Sequence, residues 1–197
     1  MPLRFAAEPT NGTALVRGGL NRLSTRTSPL SGRSVDFDAL QIGESHAVYD
    51  LRADAVANGG GLDSAVLSGF RYLVASGGAT VAAAEVHADD ARNATLLANL
   101  NYGPFVEATA QALPRVAMLA PVSAESYEVR VLRFAAIGLM SLWLKPDSGG
   151  ADIIYPLAPA PGGLQADQPY SGDDFIQAVL PLAQKRSAES GPRRRVP

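Results

Sequence analysis

The most apolar part of the chain is residues 127–145, YEVRVLRFAAIGLMSLWLK. The uncharged run within it, 134–144, is about half as long as the roughly 20 residues that a helix needs to cross a bilayer. Charged residues flank this run on both sides, so it cannot be extended. We therefore predict two strands, 127–134 and 137–145, the second of which is apolar on both faces.

Other segments also show the periodicity of regular structure. Alternation in SHAVYDLRADAV predicts a half-exposed strand, and two apolar runs joined at Ser76-Gly77-Gly78 predict a hairpin. Helices are expected at 91–100, capped by Asp89-Asp90, and at 104–113, where Pro114 should end the helix. Ser171 and Asp174 resemble a capping box for a final helix, which Pro181 is expected to kink or break.

The order of these elements predicts an α+β fold. We expect a single domain with a mainly antiparallel sheet of about five strands, packed by two or three helices, because hairpins rather than strand–helix–strand crossovers connect the strands. The element order resembles that of profilin-like, roadblock-like and PAS-like modules, by analogy of order alone. The sequence carries no motif of those families, and a shared fold would not imply a shared function.

Charge divides the chain into a body and two ends. Residues 1–34 carry a net charge of +4, residues 186–197 carry +3, and the residues between them carry −9. The ends are also rich in Gly, Ser and Arg and show no apolar period. We therefore predict a mobile basic arm at 1–34, a globular domain at 35–186 and a basic tail at 187–197.

Several classes of chemistry find no support in the sequence. The chain has no cysteine, so thiol catalysis, disulfides and cysteine-based metal sites are excluded. It also has no G-x-S-x-G or S-x-x-K motif and no phosphate-binding G-x-x-x-x-G-K-[ST] loop. We expect no cofactor and favour a protein that is not an enzyme. The N-terminal residues lack the apolar region of a secretory signal, which favours a cytoplasmic location.

The two histidines of the chain define a candidate metal or general-base site. Glu85, His87 and Asp89 alternate along one predicted strand, and His46 and Asp50 share a face of another. Two histidines and a carboxylate form the ligand set of several iron and zinc sites. The alternative interpretation is that each histidine faces solvent and that Asp89 caps a helix.

The doubly apolar strand suggests a different function. If the helices covered only one face, either Leu139, Ser141 and Trp143 or Met140, Leu142 and Leu144 would be left for a partner. Burial of both faces in the core of this chain is the simpler interpretation. The sequence thus favours a non-catalytic protein–protein binding or assembly module, with self-association as one form. The alternative is a small-molecule-binding protein or enzyme with a pocket beside the sheet, using His46, His87 and Glu85.

The basic tail is a further candidate contact. Arg193, Arg194 and Arg195 could meet nucleic-acid phosphates or an acidic protein surface. The acidic body argues against nucleic acid, because it would repel the same phosphates.

Overall fold

A computed structural model describes residues 3–24, 39–89 and 91–190. The strands are β1 (Leu3–Phe5), β2 (Gln41–Asp50), β3 (Val66–Ser76), β4 (Ala79–Ala88), β5 (Ala94–Asn101), β6 (Tyr127–Phe134), β7 (Leu139–Pro146), β8 (Ile153–Pro156) and β9 (Tyr170–Ser171). The helices are α1 (Gly12–Ser24), α2 (Ala53–Ala57), α3 (Pro104–Ala117), α4 (Ala120–Ala124) and α5 (Gly172–Ser190). Short 3-10 turns lie at Leu62–Ser64 and Ala135–Ile137.

All nine described strands belong to one mixed sheet in the order β5-β4-β3-β2-β6-β7-β8-β9, with β1 beside β6. Strand β6 runs parallel to both β1 and β2, while the other neighbours are antiparallel. The expected sheet of about five mainly antiparallel strands with two or three helices is therefore wrong. The α+β class holds, but within the described residues the sheet has nine strands and is accompanied by five helices.

Two segments account for much of this difference. Residues 94–101 form strand β5 instead of the expected helix, because their backbone pairs with β4 from Ala83 to Ala88. Asp89 caps no helix there; its carboxylate accepts hydrogen bonds from the backbone and side chain of Asn93, which closes the β4–β5 turn. The predicted hairpin between β3 and β4 is confirmed, and Gly77 and Gly78 adopt φ angles of 57° and 81° in its turn.

The N-terminal segment is the second source of the difference. Residues 3–24 belong to the folded body rather than to a mobile arm: β1 pairs with Tyr127–Val129, and Val16 of α1 is fully buried. The glycines that suggested mobility permit close packing instead, since a Cβ on Gly19 would lie 2.1 Å from a methyl group of Leu97. Residues 25–34 of the expected arm lie outside the described residues, as do residues 191–197 of the expected tail. Residues 187–190 continue α5.

Helices cover both faces of the sheet. On one face, α1 packs Val16 and Leu20 against β3 and β4, and α5 packs Phe175 and Val179 against β6 and β7. On the other face, α3 and α4 bury Ala112, Val116 and Val122 against the centre of the sheet. The apolar side chains of β6 and β7 are therefore shared between two hydrophobic clusters, one on each face.

The apolar run 134–144 thus forms the end of β6, a turn and most of β7. Within the described residues, no helix is long and apolar enough to cross a membrane.

Candidate functional site

The two histidines differ in burial and in the groups that they contact. His46 is 2% exposed, with Nδ1 3.4 Å from the carbonyl oxygen of Arg71 and its ring edge-to-face with Phe5. His87 is exposed, and its Nδ1 lies 3.1 Å from the carbonyl oxygen of Ser68. The expectation that both histidines face solvent is therefore wrong for His46, because the face of β2 that carries it is covered and its ring packs against Phe5 of β1.

The candidate metal ligands are likewise not brought together. Among residues 3–24, 39–89 and 91–190, no three histidine or acidic side chains form a group that could hold a metal ion. Asp89 bonds to Asn93 in the β4–β5 turn, while Glu85 and Asp50 bind arginines. The ligand set proposed from the sequence is replaced by arginine–carboxylate pairs.

The three interface candidates on β7 are buried by this chain itself. Leu139, Ser141 and Trp143 are 2%, 0% and 4% exposed, and Leu139 and Trp143 pack in the same cluster as Phe175 and Val179 of α5. Strand β7 lies between β6 and β8 and is not an edge of the sheet. These residues form core rather than a partner surface, because helices cover both faces of the sheet.

A chain of ion pairs crosses four neighbouring strands. Arg133 of β6 binds Asp50 of β2 through two hydrogen bonds, Nε to Oδ1 at 2.6 Å and Nη2 to Oδ2 at 3.0 Å. Its third nitrogen, Nη1, donates to Glu85 of β4 at 2.9 Å. The other carboxylate oxygen of Glu85 accepts hydrogen bonds from Arg71 of β3 at 2.9 Å and from Asn101 at 3.1 Å. We call Asp50, Arg133, Glu85 and Arg71 the ion-pair chain.

The sheet register explains why these four side chains meet. Arg71 lies opposite Glu85 on β3 and β4, and Asp50 lies opposite Arg133 on β2 and β6. Residues in register point to the same side of a sheet, so each pair is close before any side-chain adjustment. The parallel strands β2 and β6 both end here, which places Asp50 and Arg133 at the carboxyl end of the sheet's parallel centre.

Burial increases along the ion-pair chain. The side chains of Asp50 and Arg133 are 38% and 28% exposed, whereas those of Glu85 and Arg71 are 11% and 2% exposed. Burial lowers the pKa of the Arg71 guanidinium, and the Glu85 carboxylate acts in the opposite direction. The hydrogen bonds to Asp50 raise the pKa of Arg133. Both arginines therefore stay cationic at every physiological pH.

Three cavities meet at Arg133. The largest, about 620 Å³, lies beyond the ends of β2 and β6 and is lined by Asp50, Asp54 and Ala136. A second, about 260 Å³, lies beside Glu85, His87 and Asn99. The third, about 200 Å³, reaches the sheet face beneath α3; its walls are Arg71, Glu85, Asn99, Asn101, Gly103, Phe105, Val106, Arg133 and Met140. Arg133 thus lines all three cavities, and the ion-pair chain contributes at least two residues to each; we call this group of cavities the arginine site.

A larger hollow, about 720 Å³, lies elsewhere, at the start of α5. Its walls include Gly61, Asp63, Asp152 and Asp173. It contains the glycine-rich stretch between α2 and β3, but its carboxylates would repel a phosphate. It has no buried cationic group, so we regard the arginine site as the better candidate.

Sequence reasoning missed most of the arginine site. It singled out Glu85, His87 and Asp50 but neither Arg71 nor Arg133, nor the asparagines of β5. A signal was present: Arg71 and Glu85 are charged residues in the middle of the apolar stretches FRYLV and AAAEV. A charge at such a position needs a partner, but the partner could not be identified before the strand register was known.

Comparison of the chain with protein-family models, with curated proteins and with solved structures finds no match. The function must therefore be argued from the arginine site itself.

Proposed function

We propose that this protein binds a small polar molecule in the arginine site. The observation that carries the proposal is the ion-pair chain, buried at Arg71 and Glu85, that lines all three cavities. Of the three residues expected beside a pocket, Glu85 and His87 line the arginine site, whereas His46 lies beside Arg71 in the β2–β3 register and lines none of its cavities. The role that we propose for the site is binding: among the described residues, Ser68 and His87 both line the second cavity, but the Ser68 hydroxyl donates to the Val48 carbonyl, and the His87 ring lies against the backbone oxygen of Ser68 and not its hydroxyl.

The cost of burying charge supports a functional role. Taking an arginine and a glutamate out of water costs several kcal/mol per ion, and their attraction often only offsets that cost. A hydrophobic pair in the place of Arg71 and Glu85 would hold β3 and β4 together at least as well. Charged groups that line cavities despite this cost are typical of binding sites.

The position of the site in the fold supports the same conclusion. After β2 the chain leads to β3 on one side, and after β6 it leads to β7 on the other side. The two connections diverge and leave a crevice beyond the carboxyl ends of a parallel pair. In open α/β sheets, ligands bind in the comparable crevice beyond the carboxyl ends of parallel strands. The likeness here is confined to the β2–β6 pair, since β2–β3 and β6–β7 are antiparallel. The cavity of about 620 Å³ lies in this crevice.

The proposal is tested by thermal-shift measurements against a panel of organic acids, phosphates, nucleotides, sugars and amines. A ligand of the arginine site raises the Tm of the wild-type protein, and Arg133→Gln abolishes the rise. Arg4→Gln is the matched control, because Arg4 also binds an aspartate, Asp147, through Nε and Nη2 but lies at the surface far from the site. Stabilisation that survives Arg133→Gln would contradict the proposed site.

Self-association is the second candidate, and the free edge of β5 favours it. In the described part of the chain, the outer side of β5 is bridged only at its start, by Thr10 and Asn93. Residues 94–101 carry no charge or proline, the devices that usually protect a sheet edge, and Leu96 is 57% exposed. An uncharged strand is compatible with an antiparallel copy of itself, so we propose a two-fold dimer through β5.

Sedimentation velocity tests this second candidate. We expect a concentration-dependent dimer that Leu96→Lys converts to a monomer, while Met118→Lys, at an exposed residue of the α3–α4 connection, leaves the dimer intact. A wild-type protein that is monomeric at 100 μM, roughly the upper limit of weak biological association, would refute the dimer.

Three other expectations remain predictions. Contacts through Arg193, Arg194 and Arg195 lie outside the described residues. Nucleic-acid binding remains disfavoured by the charge of the body, and a cytoplasmic location remains an expectation from the sequence.

A further inference from the structure

We infer that the ligand of the arginine site carries a carboxylate, and that Arg71 binds it. The guanidinium of Arg71 uses only Nη1, which donates to Glu85. Its Nε and Nη2 are buried and have no hydrogen-bond partner among the described residues. Leaving such donors unpaired costs about 1–3 kcal/mol or more, so the two nitrogens call for a partner, and Arg71 lines the cavity of about 200 Å³ from which one can approach.

The geometry of the free edge specifies the chemistry of that partner. Nε and Nη2 form one side of the planar guanidinium, and two parallel N–H bonds from this side match the two oxygens of a carboxylate. The molecule uses the same edge in this way elsewhere. Arg133 binds Asp50 through Nε and Nη2, Arg52 binds Asp54 through them at 3.0 and 2.9 Å, and Arg4 binds Asp147. Arg71 is the buried arginine whose corresponding edge is empty.

A second unpaired group lies next to Arg71. His46 and Arg71 are partners in the β2–β3 register, and Nε2 of His46 is also buried without a hydrogen-bond partner among the described residues. Because Nδ1 of the neutral ring lies beside the carbonyl oxygen of Arg71, it carries the proton, and Nε2 is left as an acceptor. A carboxylate therefore pairs with the two free donors of Arg71 and not with His46.

The cavity of about 200 Å³ limits the rest of the ligand. A water molecule occupies about 30 Å³ in the liquid, so this volume accommodates about six or seven non-hydrogen atoms. Phe105, Val106 and Met140 contribute apolar side chains to the lining of this cavity. These features fit a carboxylate on an apolar chain of about three or four carbons.

Charge favours a monoanion over a phosphate. The two arginines and two carboxylates of the ion-pair chain cancel, and Glu85 already shares the charge of Arg71. A dianion would place two negative charges beside the Glu85 carboxylate at low dielectric, whereas a carboxylate adds only one. The ligand class is therefore a short-chain monocarboxylic acid. This inference rests on the proposed function of the arginine site and assigns its ligand.

The test uses NMR of the full-length ¹⁵N-labelled protein, with butanoate as the probe. We expect butanoate to shift the Arg71 Nε–H resonance saturably, and butanamide and butylamine to leave it unchanged. Arg71→Lys keeps the charge but loses the paired donors, and is expected to weaken butanoate binding about tenfold or more. Arg4→Lys is the matched control and should bind butanoate like the wild type. The wild-type titration stands on its own if Arg71→Lys fails to fold.

The possible failures can be separated. If butanoate causes no shift but another compound raises the Tm in an Arg133-dependent way, the carboxylate assignment is overturned and the proposed function stands. Exchange of the Arg71 Nε–H with water and no response to butanoate would mean that ordered water alone fills the cavity, which also overturns the assignment. Butanoate binding that is unchanged in Arg71→Lys overturns it as well. If no compound in the panel stabilises the protein, both proposals fail.

Discussion

The buried imidazole of His46 makes the stability of this protein depend on pH. Burial, with a smaller contribution from the positive charge of Arg71, lowers the pKa of His46 to about 4, although hydrogen bonds to backbone groups act in the opposite direction. The ordinary pKa of a histidine, and hence that of the unfolded chain, is about 6.5. The folded protein therefore keeps His46 neutral over a pH range in which the unfolded chain takes up a proton.

The sign and size of the effect follow from this difference. As pH falls from about 6.5 to 4, the unfolded state binds a proton that the folded state does not, so the free energy of unfolding decreases. The slope approaches 1.4 kcal/mol per pH unit, and the total loss is about 3 kcal/mol. Below about pH 4 both states are protonated at this residue, and its contribution stops changing. That loss is a large part of the ~5–15 kcal/mol typical of a domain.

Urea denaturation between pH 7.5 and 4.5 measures the effect. We expect His46→Phe, which retains the aromatic packing against Phe5 but cannot titrate, to lose less stability over this range than the wild type, by about 2–3 kcal/mol. His87→Gln is the control, because His87 is exposed, and it should follow the wild-type curve. Equal slopes for the wild type and His46→Phe, or an NMR titration of His46 with a midpoint near 6.5, would refute the reasoning.

Three further substitutions test the packing of the sheet and helices by chemical denaturation. Gly69→Ala should destabilise the protein by about 1–3 kcal/mol, because a Cβ there would lie 2.2 Å from the carbonyl oxygen of Val86. Gly162→Ala is the control and should have little effect, because the space around Gly162 is open. Equal losses of stability in the two variants would contradict the close approach at Gly69. Trp143→Ala should cost about 3–5 kcal/mol if β7 is core, and a loss below 1 kcal/mol would revive the interpretation of Trp143 as surface. Ser171→Ala should cost about 1 kcal/mol, because the Ser171 hydroxyl accepts the Asp174 N–H at the start of α5; no change would show that this cap is dispensable.

Local sequence patterns correctly predicted those elements that depend on residues close together in the chain. The β3–β4 hairpin, the two strands of 127–145 and the start of α5 were all expected from neighbouring residues, and the structure confirms them. The Ser171–Asp174 capping interaction forms as its spacing suggested. Turns and caps depend on residues a few positions apart, which is why one sequence suffices to predict them.

Tertiary packing overrode local signals elsewhere. Pro114 was expected to end its helix, and Pro181 to kink or break the final one, but both lie inside helices that continue past them, so the end and the break are wrong. Beyond Pro114, Val116 is fully buried, so packing of the continued helix offsets the hydrogen bond lost at the proline. The segment 94–101 has no alternation strong enough to mark a strand, and its pairing with β4 is visible only once the sheet is assembled.

The arginine site depends on contacts that no local pattern reveals. Arg133 and Asp50 are 83 positions apart and meet because β2 and β6 are parallel neighbours. The expected antiparallel sheet lacked that pairing, so the crevice at its carboxyl end was not foreseen. The charges of Arg71 and Glu85 indicated buried pairing in general, but their empty hydrogen-bonding edge is a property of the folded structure alone.

A crystal structure of the full chain, determined with the compound that raises its Tm most, tests the central claim directly. The account predicts ligand density in the cavities that share Arg133, with two oxygens facing Nε and Nη2 of Arg71. Density for that compound in the acidic hollow at the start of α5, with the arginine site holding only water, would contradict it.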